Sequence, residues 1–388
     1  MLLVLLGFAV FGLITSTVFA GMVLAGTRHH IRKRPQVADS EPVFAPQLSL
    51  LKPLHGDEPG LEANLATFFS QDYPNYEILF CAADPLDAGL QAARRVAARY
   101  PHISTHFFTT GEPKYINAKV HSLEVMTASA AHAILVISDS DVRVTPGYLR
   151  AVAAPFADPK VGAMTCLYRG VAAEGGIWAR LESIGMSVEM TAGVLVANML
   201  EGMQFVLGPT MAVRKECVQK MGGIGILGDY CADDYVLGNE VFHQGRTVVL
   251  SHHAIDHMVI NSTMAASLKH QVRWMKSTRF SRPKGHFGTA LTFSLPFGLL
   301  AAGTASLLGH PILAVSLFAW SVLTRWAISW AAGSLVVQDP SLVGLYILYP
   351  IRDLMGFGFW AASYLSNRIL WRGRLFNLLP GGKMRAEN

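Results

Sequence analysis

Three kinds of hydrophobic pattern follow one another along the chain. The first 26 residues, MLLVLLGFAVFGLITSTVFAGMVLAG, hold no charged side chain, and roughly 20 apolar residues suffice to cross a bilayer. Residues 41–265 read as one soluble domain, and its opening part alternates. PQLSLLKPL, YEILFCAAD, HISTHFFTT and AILVISDSD read as strands, with EPGLEANLATFFSQ, LDAGLQAARRVAARY and NAKVHSLEVMTASA as the helices between them. This β-α-β-α-β-α-β order predicts an α/β domain with a mainly parallel sheet and helices on both faces. Residues 287–324 again carry no Asp, Glu, Lys or Arg, and Gly309, His310 and Pro311 divide them into two predicted spans. A third apolar stretch completes a C-terminal membrane bundle over 287–366 but is interrupted by YPIRDL. Arg352 and Asp353 there are costly at membrane depth unless paired or facing a protein cavity.

Charge sharpens this division. Only 15% of the residues are charged, against about 25% in ordinary soluble proteins. The net charge of +5 is too small and dispersed to suggest nucleic acid and suits an anionic membrane surface or substrate. Although VFA ending at Ala20 resembles a cleavage site, a basic n-region is missing, and Arg28, Arg32, Lys33 and Arg34 follow the apolar run instead. That order predicts an uncleaved anchor with its C-terminal flank in the cytoplasm. SLKHQVRWMKSTRFSRPKGH, within 266–286, reads as a basic interfacial segment, and 367–388 as a basic cytoplasmic tail. An anchor plus three full spans leaves that tail outside, so one C-terminal segment is expected to be re-entrant or interfacial. Four widely spaced cysteines without a C-x-x-C pair suggest free thiols in a reducing compartment.

The candidate chemistry is acidic. Asp139 and Asp141 leave the fourth predicted strand at its C-terminal end, and Asp84 leaves the second in the same way. Ligands of open α/β sheets bind at that edge. Paired carboxylates there can hold Mg²⁺ or Mn²⁺ against a diphosphate, although D-x-D alone reads more readily as a solvated turn. A haloacid dehalogenase-type phosphatase needs a small residue where this chain has Arg143, and needs the motif on its first strand. GDYCADDYVLG brings Asp229, Asp233 and Asp234, which either cap a helix or do chemistry. Arg273 and Trp274 suit a diphosphate and a ring. His252, His253 and His257 have metal-like spacing but no second ligand set, and read as strand-side or acceptor-site residues.

Asp84, DSD at 139–141, ADDY at 232–235 and HQVRW at 270–274, in this order, resemble the membrane-bound ceramide glucosyltransferases. The likeness extends through LSLLKPLHGDEPGLEANLATFFSQDYPNYEILFC, INAKVHSL, YPIRDL and LWRGRLFNLLPGG; the SHHAIDH and HQVRWMKSTRFSRPKGH region is most similar to the bacterial, hopanoid-associated branch. The resemblance implies a Rossmann-like GT-A domain over 41–265, carried between an N-terminal transmembrane helix and the C-terminal bundle. It implies an inverting enzyme of the inner membrane, multi-pass, its catalytic domain facing the cytoplasm. A single sugar, glucose or N-acetylglucosamine, would pass from a UDP-sugar to a hydroxyl of a bilayer lipid of ceramide or hopanoid type. Asp84, Asn117, Lys119, Asp139, His270, Arg273 and Trp274 would bind the donor, Asp139 and Asp141 would hold Mn²⁺ or Mg²⁺, and Asp234 would be the general base. The family has Gln or Arg where His270 stands. A processive polysaccharide synthase would need more spans and Gln at that position. A non-catalytic nucleotide-binding membrane protein would be expected to have lost part of the acidic set.

Overall fold

A computed structural model describes residues 1–33, 44–173, 175–261, 263–371 and 373–387. Arg34, and the first three residues of the expected soluble domain, lie outside the described residues. Helix α1 (Leu2–Arg32) precedes β1 (Leu48–Pro53), α2 (Leu61–Phe69), β2 (Tyr76–Ala82), α3 (Ala88–Ala97), β3 (Ser104–Thr109), α4 (Ala118–Ser129) and β4 (Ile134–Ile137). Next come β5 (Val142–Arg143), α5 (Tyr148–Ala153), β6 (Val161–Ala172), α6 (Ile177–Ile184), α7 (Thr191–Glu201), β7 (Met211–Arg214), α8 (Lys215–Lys220), α9 (Asp233–His243) and β8 (Thr247–Val259). Helices α10 (Met264–Ser281), α11 (Pro283–Thr289), α12 (Leu295–Leu307), α13 (Pro311–Ile328) and α14 (Tyr349–Ala362) follow. Strands β9 (Arg368–Trp371), β10 (Arg374–Leu378) and β11 (Met384–Ala386) come last.

The chain divides into two compact units. One comprises Met1–Arg34, Arg169–Leu200 and Val259–Gly381; the other comprises Pro35–Tyr168, Glu201–Met258 and Gly382–Asn388.

The second unit is built on an eight-stranded sheet of order β3-β2-β1-β4-β7-β6-β8-β5. Its first four strands run parallel, with Leu51 opposite Ile137 and Pro53 opposite Cys81. Residues 48–52 of β1 are all buried, as a strand covered on both faces requires. This half is the one the alternation predicts. The other half turns antiparallel where β7 pairs with β4 and β6, and β5 pairs with β8. Asp87 caps α3, accepting from the N–H groups of Gly89 and Leu90, and also takes the N–H of Gly56.

The first unit contains the apolar helices. Among the described residues, Leu2–Arg32, Ile177–Glu201 and Pro311–Val336 are long and apolar enough to cross a membrane. Pro283–Thr292 and Leu295–Leu307, bent by 44° at their junction, add a fourth if they form one span. Ile177–Glu201 does not stand out in the hydropathy pattern because Glu182 and Glu189 interrupt it. Small residues let the helices approach: a Cβ on Gly12 would lie 2.2 Å from the Phe297 ring, and one on Gly298 would lie 2.2 Å from Ser321 Oγ. Ser294 Oγ accepts from Ser16 and Thr324 in the same region.

The charges of YPIRDL are paired. Arg325 Nη1 donates to Asp353 Oδ1 at 2.7 Å, and Asp353 Oδ2 accepts the N–H groups of Ser294 and Leu295 at the start of α12. Arg352 faces Glu189 at 3.2 Å and lies against Gly185, where a Cβ would come 2.5 Å from its Nε. Removing one partner of a buried pair strands the other charge, at a cost of about 3–5 kcal/mol. Asp353→Ala should therefore lower the unfolding temperature of the detergent-solubilised protein by many degrees. An unfolding temperature unchanged from wild type would show that the pair contributes no stability.

Candidate active site

The acidic motifs of the second unit meet at the carboxyl edge of its sheet. β4 spends its four residues in the core, and after the buried Ser138 the chain emerges at Asp139. Lys119 reaches it: the ammonium lies 2.7 Å from Asp139 Oδ1 and 3.5 Å from Asp233 Oδ2. One cation thus bridges the two acidic motifs, its side chain 15% exposed. Lys119 stands where it does because Asn117 caps α4, accepting the Lys119 N–H at 3.2 Å. The Asn117 amide also donates to the carbonyl of Tyr230 at 3.2 Å. Asn117 is only 1% exposed, and both ends of its amide hold protein.

Asp234 accepts the N–H of Gly208 at 2.9 Å and the N–H of Tyr235 at 2.7 Å. A Cβ built on Gly208 would lie 3.4 Å from Asp234 Oδ2 and 3.5 Å from Asp139 Oδ2. The two carboxylates therefore converge on the space that Gly208 leaves open. Gly238 lies one turn beyond Asp234 on α9, where a Cβ would come 2.4 Å from Val206 N. That close approach seats α9 and sets the position of Asp234.

Burial and the neighbouring Asp233 push the Asp234 carboxyl up to about 6. Burial pulls Lys52 down to about 7, against the opposing pull of Asp139 and Asp141. Its ammonium donates to Ser138 Oγ and the Asp139 carbonyl, and sits 3.8 Å above the Phe68 ring. Burial favours neutral Lys119, yet Asp139 and Asp233 outweigh it and raise the group above its ordinary value. Glu58 is raised by burial, with Ser140 hydrogen-bonded to it. His257 Nε2 approaches Asp141 Oδ2 at 3.4 Å.

A divalent cation fits this set. Asp141 Oδ1 is buried without a hydrogen-bond partner, and Asp139 Oδ2 faces the opening at Gly208. Among the described residues no three His, Cys, Asp or Glu side chains are grouped to hold a metal by themselves. Substrate oxygens and water would complete the shell, as is usual for Mg²⁺ and Mn²⁺ at phosphates. Asp84 is exposed on the same edge, two strands from β4, and accepts the Leu86 N–H at 2.7 Å. Asp87 does the capping of α3, so Asp84 is not needed for it.

His270, Arg273 and Trp274 lie on α10, in the first unit. His270 Nδ1 is 2.6 Å from Glu182 Oε1, which is buried and also receives Asn261, while Glu182 Oε2 receives Ser267. An ionised carboxylate only accepts, so this contact places a proton on Nδ1. The His270 and Trp274 rings are 4.5 Å apart, and the Arg273 guanidinium is 5.8 Å above the Trp371 ring.

Sequence reading missed Lys52, Glu58, Gly208 and Glu182. A lysine inside LSLLKPL and a glutamate inside the apolar segment 177–201 were visible signals: each charge interrupts a run that otherwise belongs in a core. Gly208 carried no signal, because its role depends on neighbours distant in the chain.

A mixed α/β sheet with acids gathered at its carboxyl edge has the architecture of a GT-A-type fold. Its resemblance to solved structures agrees: mannosyltransferase PcManGT from Pyrobaculum calidifontis, in complex with GDP-Man and Mn²⁺, superposes with a TM-score of 0.53. That match has 19% identity and covers 92% of this chain and 97% of that one. The sequence profile of glycosyl transferase family 21 matches residues 13–384, and the chain belongs to that family. Ceramide glucosyltransferases 1 and 3 of Caenorhabditis elegans are each 24% identical to it. The alignments cover 88% and 87% of this chain and 74% of each relative.

The seat of α9 yields a test. Gly238→Ala places a methyl group against the backbone of Phe205 and Val206. Overpacking of this kind costs about 1–3 kcal/mol, and a shift of Asp234 by about 1 Å can cost 10²-fold in rate. Sugar transfer should drop steeply while the protein still folds. Wild-type turnover in this variant would show that the contact does not position Asp234.

Proposed function

We propose that this glycosyltransferase moves a single sugar from a UDP-sugar to a hydroxyl of a membrane lipid, with inversion, at the cytoplasmic face of the inner membrane. The observation that carries the proposal is the convergence of Asp139 and Asp234 on Gly208, with Lys119 bridging the two acidic motifs. The names of the worm relatives support a lipid acceptor of ceramide type. The apolar helices of the first unit support an enzyme that works at a bilayer. The sugar is glucose or N-acetylglucosamine, and the acceptor is a ceramide or a hopanoid.

Each residue has a part in this reading. Asp84 contacts the nucleoside. Asn117 acts indirectly, holding Lys119 where its ammonium meets the diphosphate. Asp139 and Asp141 hold Mn²⁺ or Mg²⁺, and Asp139 also meets the ribose. A cation held there would neutralise charge on the diphosphate. His270, Arg273 and Trp274 bind the donor, with Glu182 orienting the His270 ring.

Asp234 takes the proton of the lipid hydroxyl. The hydroxyl oxygen forms a bond to the anomeric carbon as the bond to UDP breaks on the opposite face. The electron pair of that bond leaves with UDP. A carboxylate raised to about 6 remains ionised at neutral pH and is a stronger base than an ordinary aspartate.

Two experiments test the assignment. EDTA should abolish transfer and added Mn²⁺ restore it, and Asp141→Asn should weaken Mn²⁺-dependent UDP-sugar binding in calorimetry. Full turnover in chelator would remove the metal from the reaction and leave the transfer itself standing.

For the base, Asp234→Asn should bind UDP-sugar normally yet lose roughly 10²–10⁴-fold in turnover. In the wild type, kcat/KM should decline as pH falls through about 6, where Asp234 gains its proton. Asp233→Asn removes a like charge, lowers the Asp234 pKa and should move this acid limb to lower pH. An active Asp234→Asn alongside a dead Asp233→Asn would assign the base to Asp233.

A further inference from the structure

The segment that leads into Asp233 and Asp234 is irregular: between the short 3₁₀ turn Ile224–Leu227 and α9 it makes one isolated β-bridge, at Tyr230. Such a segment needs external contacts to hold one conformation. On one side they come from the neighbourhood of α4. The Asn117 N–H donates to the Gly228 carbonyl at 2.8 Å, and the Asn117 amide donates to the Tyr230 carbonyl at 3.2 Å. Tyr115 lies against two glycines, with a Cβ on Gly225 falling 2.3 Å from its hydroxyl and one on Gly228 2.4 Å from its ring.

Further contacts come from residues 382–387, far away in sequence. The Met384 N–H donates to the Asp229 carbonyl at 2.7 Å, and the Cys231 N–H donates to the Gly382 carbonyl at 3.2 Å. Lys383 forms the β-bridge with Tyr230, and its ammonium lies 5.4 Å over the Tyr230 ring. The Met384 side chain is buried. Gly381 and Gly382, at φ +83° and +86°, make a turn that other residues rarely adopt and so aim the segment at Asp229.

We propose that residues 382–387 are a strap that positions the loop carrying the catalytic carboxylate, with Lys383 and Met384 as its positioning residues. The proposal rests on the reading of Asp234 as the base. Asp229, Tyr230 and Cys231 are pinned between Asn117 on one side and the strap on the other. Ala232 follows directly, and α9 starts at Asp233. With the strap in place, the start of α9 is held against Gly208. Without it, Asp229 and Cys231 lose these backbone bonds, and Asp234 loses its fixed distance to the reacting hydroxyl. The hydrogen bonds and ion pairs of Asp84, Asp139 and Asp141 described above go to Leu86, Lys119 and His257 and not to the strap.

The test uses the full-length protein, a chain ending at Gly381, and Met384→Pro, which removes the N–H donated to Asp229. Met384→Leu keeps both the N–H and the apolar anchor and serves as the conservative control. In the truncated chain and in Met384→Pro, kcat should fall by about tenfold or more. The Kd of UDP-sugar with Mn²⁺ should stay within about twofold, and Met384→Leu should behave as wild type. Hydrogen–deuterium exchange should rise over 228–236, where the Cys231 amide loses its acceptor. Wild-type kcat in the truncated chain, or unchanged exchange over 228–236, would overturn the strap. A parallel loss of donor affinity and of unfolding temperature would also overturn it, reducing the segment to general stability. Full activity of Asp234→Asn would instead end the base reading alone, because the strap is judged on kcat and exchange.

Discussion

Four carboxylates, Asp139, Asp141, Asp233 and Asp234, cannot gather at one sheet edge unless positive charge is placed among them. At an effective dielectric constant of about 20, two like charges about 4 Å apart repel by about 4 kcal/mol, a large part of a domain's stability. Lys119 answers this constraint directly, within ion-pair distance of Asp139 and Asp233. Lys52 adds a weaker, partly charged contribution from beneath, since burial pulls it down to about 7, and it is bonded to the carbonyl of Asp139. Much of the surrounding structure follows from holding Lys119 in place. Asn117 caps its helix and ties that cap to the loop before α9, so the two acidic motifs are fixed relative to each other.

The same balance gives the site its chemistry. Asp139 has a cation beside it, whereas Asp234 is supported by two backbone N–H groups and has Asp233 next to it. Burial and the adjacent Asp233 raise the Asp234 carboxyl toward neutrality, against the lowering effect of those N–H groups. Sequence adjacency alone does not separate Asp233 from Asp234. Their partners do: Asp233 faces Lys119, and Asp234 faces the opening at Gly208.

The first unit handles buried charge by a different arrangement. Arg325 and Asp353 are almost fully buried, and Asp353 also terminates the free N–H groups that open α12. Arg352 and Glu189 repeat the pairing one residue along α14. YPIRDL therefore does not end a membrane segment as an isolated charged break would; it joins helices through complementary charge. Glu182 with His270, Asn261 and Ser267 is a third such cluster, in which a buried carboxylate is surrounded by donors.

Hydrophobic periodicity by itself determined α1, the parallel strands β1 to β4 with their helices, the turn at Gly309–Pro311 and the exit of Asp84, Asp139 and Asp141 at one edge. These features are local: a run of apolar residues fills a core strand, and whatever follows must emerge at its end. The acidic motifs and the HQVRW stretch were legible as short local strings, and their joint meaning came from the resemblance to a known family. Tertiary structure alone decided the antiparallel half of the sheet, since β7 is short and its partner strands are remote in sequence. It alone decided that Ile177–Glu201 belongs with the apolar helices, because the partners that offset Glu182 and Glu189 come from α10 and α14. Lys52, Gly208 and residues 382–387 likewise acquire their roles from contacts across the chain. No local pattern encodes which charge will neutralise a buried carboxylate or which backbone will hold a loop; these depend on where folding brings distant residues together.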